Sequence, residues 1–187
     1  LRPAPIAGFY EMRVGANVVY VSADGRYVLR GDLIDLEKQT NLTEDRRRGL
    51  IKETIASIGE KNMIVFGPRN AKRTITVFTD VNCPYCQKFH KEVPALNAAG
   101  IRVQYLLFPA LGEDSMRKAV AIWCAKDRAA ALARAKAREP IEMKTCENTV
   151  AQQAKLGQSI GVEATPTIVL DDGQILRGYL PASELIS

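Results

Sequence analysis

The chain has 187 residues, of which 47% are hydrophobic and 25% charged, with a formal net charge of +5. This length suits one or two globular domains with enough core to fold without staples. No apolar run approaches the ~20 residues of a membrane-spanning helix, so no membrane insertion by a helix is expected. The positive charge is scattered and not interleaved with aromatics, so nucleic-acid binding is set aside.

The opening "LRPAPIAGFY" lacks the basic-apolar-small order of a signal peptide, so a mature or truncated start is expected. Residues 9–36 read as β structure. "FYEMRV" and "NVVYVS" flank a Gly15-Ala16-Asn17 turn, and the Asp-Gly of "SADGR" turns the chain before "YVLRGDLIDL". This sheet has too few large residues for a core of its own and is expected to lean on another surface, such as a second copy. Thr43 is placed to cap a helix over 44–58, with Leu50, Ile51, Ile55 and Ile58 on one stripe and Gly59 at its end. Its Arg46-Arg47-Arg48 run reads as a solvated face.

From Asn62 the pattern changes. "MIVF" and "TITVFT" are strands joined by a Gly-Pro loop. A helix is expected from Pro84 to Ala98, kinked or split by Pro94. "IRVQYLLF" is a strand, 113–137 is one helical stretch, and Asn148 caps a helix reaching Ile160. "TIVLDDGQILRGYL" is a hairpin turning at Asp-Asp-Gly, and "PASELIS" begins a last helix. The order predicts a mixed α/β chain. Residues 1–42 form a β-rich domain, 43–60 a linker helix, and 61–187 a thioredoxin-like domain with a helical insertion.

Chemistry concentrates in "VFTDVNCPYCQKFH". A Cys-x-x-Cys pair can hold a metal, staple a loop or exchange disulfides. Zinc usually brings a second Cys-x-x-Cys, whereas the remaining cysteines, Cys124 and Cys146, are far apart in helical sequence. The thiolate is the nucleophile, and a helix start favours negative charge. Cys83 is therefore expected to be the exposed, low-pKa attacker and Cys86 the buried resolving thiol one turn in. Pro84 and Tyr85 set the turn between them. About eighty residues on, Thr165-Pro166 precedes a strand, where a cis proline turns a backbone edge towards the sulfurs for substrate to pair with. Cys124 and Cys146 read as a structural disulfide, with two buried free thiols as the alternative.

Several stretches resemble the DsbC/DsbG family of bacterial disulfide isomerases: "PAPIAGF", "VYVSADGRYVLRGDLIDL", "TVFTDVNCPYC", "YLLFP", "AIWCAKD" and "GVEATPT" with "GQILRGYLP". The resemblance spans nearly the whole chain from Pro3. It implies a periplasmic V-shaped homodimer, joined through the N-terminal sheets, with an apolar cleft for misfolded disulfide-containing proteins. It implies that Cys83 attacks wrong disulfides and that a membrane reductase of the DsbD type keeps the pair reduced; neither cofactor nor metal is expected. It also implies that Cys124–Cys146 is the family's structural disulfide and Thr165-Pro166 its cis-proline loop.

The chain departs from the family in carrying Pro-Tyr, not Gly-Tyr, between the active-site cysteines. It begins inside the dimerisation domain, which is expected to be incomplete, and is short after Pro109 and at its last helix. Thioredoxin's buried carboxylate six residues before the first cysteine is replaced by Val77, so the Cys86 proton is expected to leave to water, with Asp80 a turn residue. His90, four residues after Cys86, is expected to be a partly exposed helix residue, with tuning of the thiol pKa as the alternative. The leading reading is an isomerase; a net oxidase or reductase on the same fold, or chiefly a substrate-holding chaperone, are the alternatives.

Overall fold

The computed structural model describes every residue except Ala16. Strands β1 (Arg2–Pro3), β2 (Phe9–Val14), β3 (Asn17–Ser22) and β4 (Val28–Leu29) form an antiparallel sheet in the order β1-β2-β3-β4. Val14 pairs with Asn17 across the β2–β3 hairpin, whose expected turn centres on Ala16, outside the described residues. A two-stranded ribbon follows, β5 (Ile34–Asp35) and β6 (Thr40–Asn41). The small core here is Val18 and Tyr20 against Leu50 of α1 (Leu42–Ile58). Tyr27, Val28, Leu29 and Leu36 stay exposed, in keeping with a sheet too small to bury its own apolar residues.

A turn of 3₁₀ helix (Glu60–Asn62) leads into a five-stranded sheet of order β11-β10-β8-β9-β7. Its strands are β7 (Ile64–Phe66), β8 (Arg73–Thr79), β9 (Ile101–Leu107), β10 (Thr167–Val169) and β11 (Ile175–Arg177). Only β8 and β9 run parallel, from Arg73 beside Ile101 to Thr79 beside Leu107. Both are covered on two faces towards their C-terminal ends, where burial is continuous over residues 75–79 and 105–107. Strand alternation sends Ile75, Val77, Val103 and Tyr105 to one face. There they meet Phe89 and Leu96 of α2 (Pro84–His90) and α3 (Val93–Ala98), and Ile122 and Leu132 of α4 (Glu113–Trp123) and α5 (Arg128–Lys136). Phe78, Leu106 and Phe108 face the other way, against Ile51 of α1 and Ile160 after α6 (Val150–Ser159). Helix α7 (Ala182–Ile186) closes the first face through Leu185.

Several local expectations are corrected or refined. The cap of α1 is Asn41, whose side chain accepts from Glu44 N at 2.9 Å; the Thr43 hydroxyl is buried, bonded to Leu33 N and Tyr20 Oη. The apolar stripe of α1 divides, Leu50 going to the small sheet and Ile51, Ile55 and Ile58 to the large domain. The arginine run is half-buried: Arg46 pairs with Glu11, Arg47 with Glu44 and Asp32, and Arg48 with Asp172 on the β10–β11 hairpin. The 113–137 stretch is two helices, because Asp127 accepts from Ala130 N and starts α5 afresh within a sequence rich in helix formers. The backbone cap of α6 is Thr149, and Asn148 serves it from one residue outside, accepting from Val150 N. The split near Pro94 falls upstream of the proline, which sits in the first turn of α3, where its missing N–H costs nothing.

Candidate active site

Strand β8 delivers the chain to a buried turn at its C-terminal end. Asp80 pins that turn: one carboxylate oxygen accepts from Asn82 N and Ser115 Oγ at 2.8 Å, the other from Leu111 N at 2.9 Å. Cys83 then caps α2 with extended backbone, and Pro84 occupies the first helical position. Cys86 follows one turn later, facing the sheet. Both thiols are free.

The two differ in environment, though less in exposure than the sequence suggests. Cys86 is 0% exposed and Cys83 only 6%. Cys83 is covered because the loop before β10 lies across it: the Thr165–Pro166 peptide is cis, and Cys83 Sγ donates to the Thr165 carbonyl at 3.2 Å. The Pro166 carbonyl in turn accepts from Gly178 N, which ties the loop to the end of β11. Pro84 and Tyr85, the latter at 63% exposure, are the parts of the motif that solvent meets. Burial pushes the Cys86 thiol up, and Lys136 pulls it back.

Lys136 is the residue that sequence reasoning missed. It ends α5, is 4% exposed, and its Nζ donates to Thr79 Oγ1 and to the Asp80 carbonyl, both at 2.6 Å. A signal was present, since Lys136 lies four residues after Leu132 on the buried stripe of an otherwise small-residue helix. Val77 is fully buried and apolar, so no carboxylate occupies that place. His90 is half-buried, edge-on to Phe66 with centroids 5.0 Å apart, its Nδ1 3.0 Å from Tyr105 Oη. Burial first, then Lys136, lowers its pKa to about 4, so the ring is neutral.

Cys124 and Cys146 lie away from this pair and are bonded to each other, with Cα atoms 5.7 Å apart. The bond links the end of α4 to the segment before α6, and the span it closes contains α5. Among the described residues no cluster of side chains is suited to hold a metal, and no helix is long and apolar enough to cross a membrane.

Known proteins fit this geometry. Residues 60–187 match the thioredoxin-like domain model, and residues 1–44 match the disulfide bond isomerase N-terminal domain. The chain is 36% identical to the thiol:disulfide interchange protein DsbC of Escherichia coli, across 99% of this chain and 78% of that protein. It is 35% identical to the DsbC of Haemophilus influenzae, across 100% and 81%. Among solved structures, a disulfide interchange protein from Neisseria gonorrhoeae superposes with a TM-score of 0.62 at 30% identity, covering 68% of this chain and 95% of that one.

Proposed function

The chain belongs to the DsbC family of thiol:disulfide interchange proteins, and we propose that it rearranges wrong disulfides through Cys83, with Cys86 as the resolving thiol. The observation that carries this reading is the pairing of a free Cys83 with the cis Thr165–Pro166 loop, Cys86 lying one turn deeper. The Cys83 thiolate attacks a substrate disulfide; a bond to one substrate sulfur forms, and the other sulfur leaves as a thiolate. A different substrate thiolate then displaces Cys83, so the substrate is rearranged with no net redox change. When no substrate thiol arrives, Cys86 attacks Cys83 and frees the substrate reduced, leaving an oxidised pair that a membrane reductase of the DsbD type restores. The backbone at Thr165 and Pro166 offers an extended substrate segment an edge to pair with.

The family's isomerase N-terminal domain and the exposed Tyr27, Val28, Leu29 and Leu36 support a homodimer joined through the small sheets. Strand β4 is an edge of two residues, open to a second copy. The periplasm is the compartment that suits both the Cys124–Cys146 bond and the reaction. A dimer cleft of this kind also holds unfolded chains without chemistry.

Cys83→Ser is the deciding variant. Recovery of a scrambled multi-disulfide substrate in a glutathione buffer is expected to fall to the uncatalysed rate. Recovery at the parent rate overturns the assignment of Cys83. Suppressed aggregation of a cysteine-free protein by the same variant supports the holding activity separately.

A further inference from the structure

The exchange reaction just described leaves one buried charge without a task. Lys136 Nζ donates to Thr79 Oγ1 and to the Asp80 carbonyl at 2.6 Å each, and the buried Cys86 thiol lies beside the same cluster, where Lys136, the Thr79 side chain and the Asp80 backbone all favour its thiolate. The amine and the thiol therefore meet around the Thr79 hydroxyl. Among the described residues no carboxylate lies at ion-pairing distance from Lys136, and the Asp80 carboxylate is occupied by Asn82, Leu111 and Ser115. A buried, unpaired ammonium costs several kcal/mol, so the site favours a lysine that can give up its charge.

We propose that Lys136 is the proton acceptor of Cys86, acting through the Thr79 hydroxyl in place of the carboxylate that Val77 displaces. This rests on the reading of Cys83 as attacker and Cys86 as resolver. In the resolving step Cys83 is bonded to a substrate sulfur. The Cys86 thiol passes its proton to Thr79 Oγ1, and the Thr79 hydroxyl proton passes to the neutral Lys136 amine. The Cys86 sulfur, now holding the electron pair, attacks Cys83 Sγ. The Cys83–Cys86 bond forms, the Cys83–substrate bond breaks, and the substrate sulfur leaves as a thiolate. Charge balances as a lysine ammonium and a substrate thiolate, and the lysine returns the proton when the pair is next reduced.

Burial lowers the Lys136 pKa to about 8, while Cys86, Cys83 and Asp80 act in the opposite sense. With that value about one molecule in ten carries the neutral amine at pH 7. The other ionisable groups facing the relay are Cys83 and His90 at the two ends of α2, Asp80 on the turn after β8, and Tyr105 on β9. His90 stays neutral and Tyr105 stays protonated between about pH 6 and 9. Neither competes with the exchange between Lys136 and Cys86 in that range.

The test is stopped-flow reaction of the reduced full chain with excess 5,5′-dithiobis(2-nitrobenzoate). A first, concentration-dependent release of coloured thiolate reports Cys83 attack, and a second, unimolecular release reports resolution by Cys86. In the parent protein the second phase is expected to rise with pH and level off near pH 8. Lys136→Met is expected to leave the first phase within threefold and to slow the second at least ~10-fold at pH 7, the low end of what a positioned base contributes. Its second phase should also keep climbing with pH where the parent is flat. Lys136→Arg keeps the charge but cannot release a proton, and is expected to be as slow as Lys136→Met. A Lys136→Met second phase within twofold of the parent overturns the proposal, and so does full rescue by Lys136→Arg. If either variant fails to fold, the parent profile decides: a second phase still rising steeply past pH 9 refutes the relay. A first phase that survives in Cys83→Ser instead overturns the assignment of the attacker, a distinct result.

Discussion

Replacing Cys124 and Cys146 together by alanine tests how the active-site surroundings are held. The bond closes a segment of sequence separation 22, and that segment contains α5 and hence Lys136. In the chain-entropy model a loop of this size removes roughly 11 cal/mol/K from the unfolded ensemble, about 3 kcal/mol at room temperature. The native state loses little else, because α5 keeps its own anchors. Leu132 is fully buried, and Arg128 donates to the Trp123 carbonyl at 2.8 Å while stacking 3.7 Å over its ring. The double variant is preferred to either single one, which would leave a third thiol free to attack the Cys83–Cys86 pair. Trp123 is the sole tryptophan and adjoins Cys124, so its fluorescence reports urea unfolding at the site of the change. With Cys83 and Cys86 held reduced, the midpoint is expected to fall by about 1–2 M. Below that midpoint the two thiolate-release phases should stay at their parent rates. A loss under ~1 kcal/mol would refute the reasoning, since it would mean the unfolded chain gains no freedom when the loop is opened.

Two further perturbations probe the packing around the site. Gly173 sits at φ +89° on the β10–β11 hairpin, where an added Cβ would lie 2.3 Å from the Arg48 carbonyl oxygen of α1. Gly173→Ala should therefore cost at least about 2 kcal/mol in urea unfolding, and a change under ~0.5 kcal/mol would contradict the close approach of α1 to the hairpin. His90 is neutral in the fold, with a pKa of about 4 against an ordinary 6.5. Between those values the unfolded chain takes up a proton that the folded chain refuses, so stability falls as pH drops through 6.5 and the loss is complete below about 4. The full shift corresponds to about 3 kcal/mol, and solvent screening of a half-buried ring reduces this to roughly 1–2 kcal/mol. His90→Phe should flatten the stability-pH curve between pH 7 and 4.5 by that amount; an unchanged slope refutes a neutral, buried ring.

Chain-local features were legible because each has a near-neighbour cause. Alternation of apolar residues marks β8 and β9, a proline at a helix start marks α2, and Asp-Asp-Gly marks the last hairpin. The Cys-x-x-Cys pair and Thr165-Pro166 could be named as candidates because their spacing and residue types suit thiol exchange. Choices between neighbouring candidates were harder. Asn41 and Thr43 can both cap a helix, and only the position of Tyr20 and Leu33 decides that Thr43 is used elsewhere. The arginine run reads as solvated until Glu11 and Asp172, brought in from distant strands and turns, supply its partners.

The sequence by itself determined the class of domain, the pair of thiols and the order in which they lie along α2, since these follow from periodicity and from contacts within a few residues. Only the tertiary structure decided what surrounds the pair. The cis-proline loop comes from 82 residues away to cover Cys83, so an attacker expected to be exposed is almost wholly buried. Lys136 arrives beneath Cys86 from a different helix, 57 residues from its Thr79 partner. A thiol's acidity depends on distances of a few ångströms in a low-dielectric interior, and residues so far apart in the chain are brought within those distances only by folding.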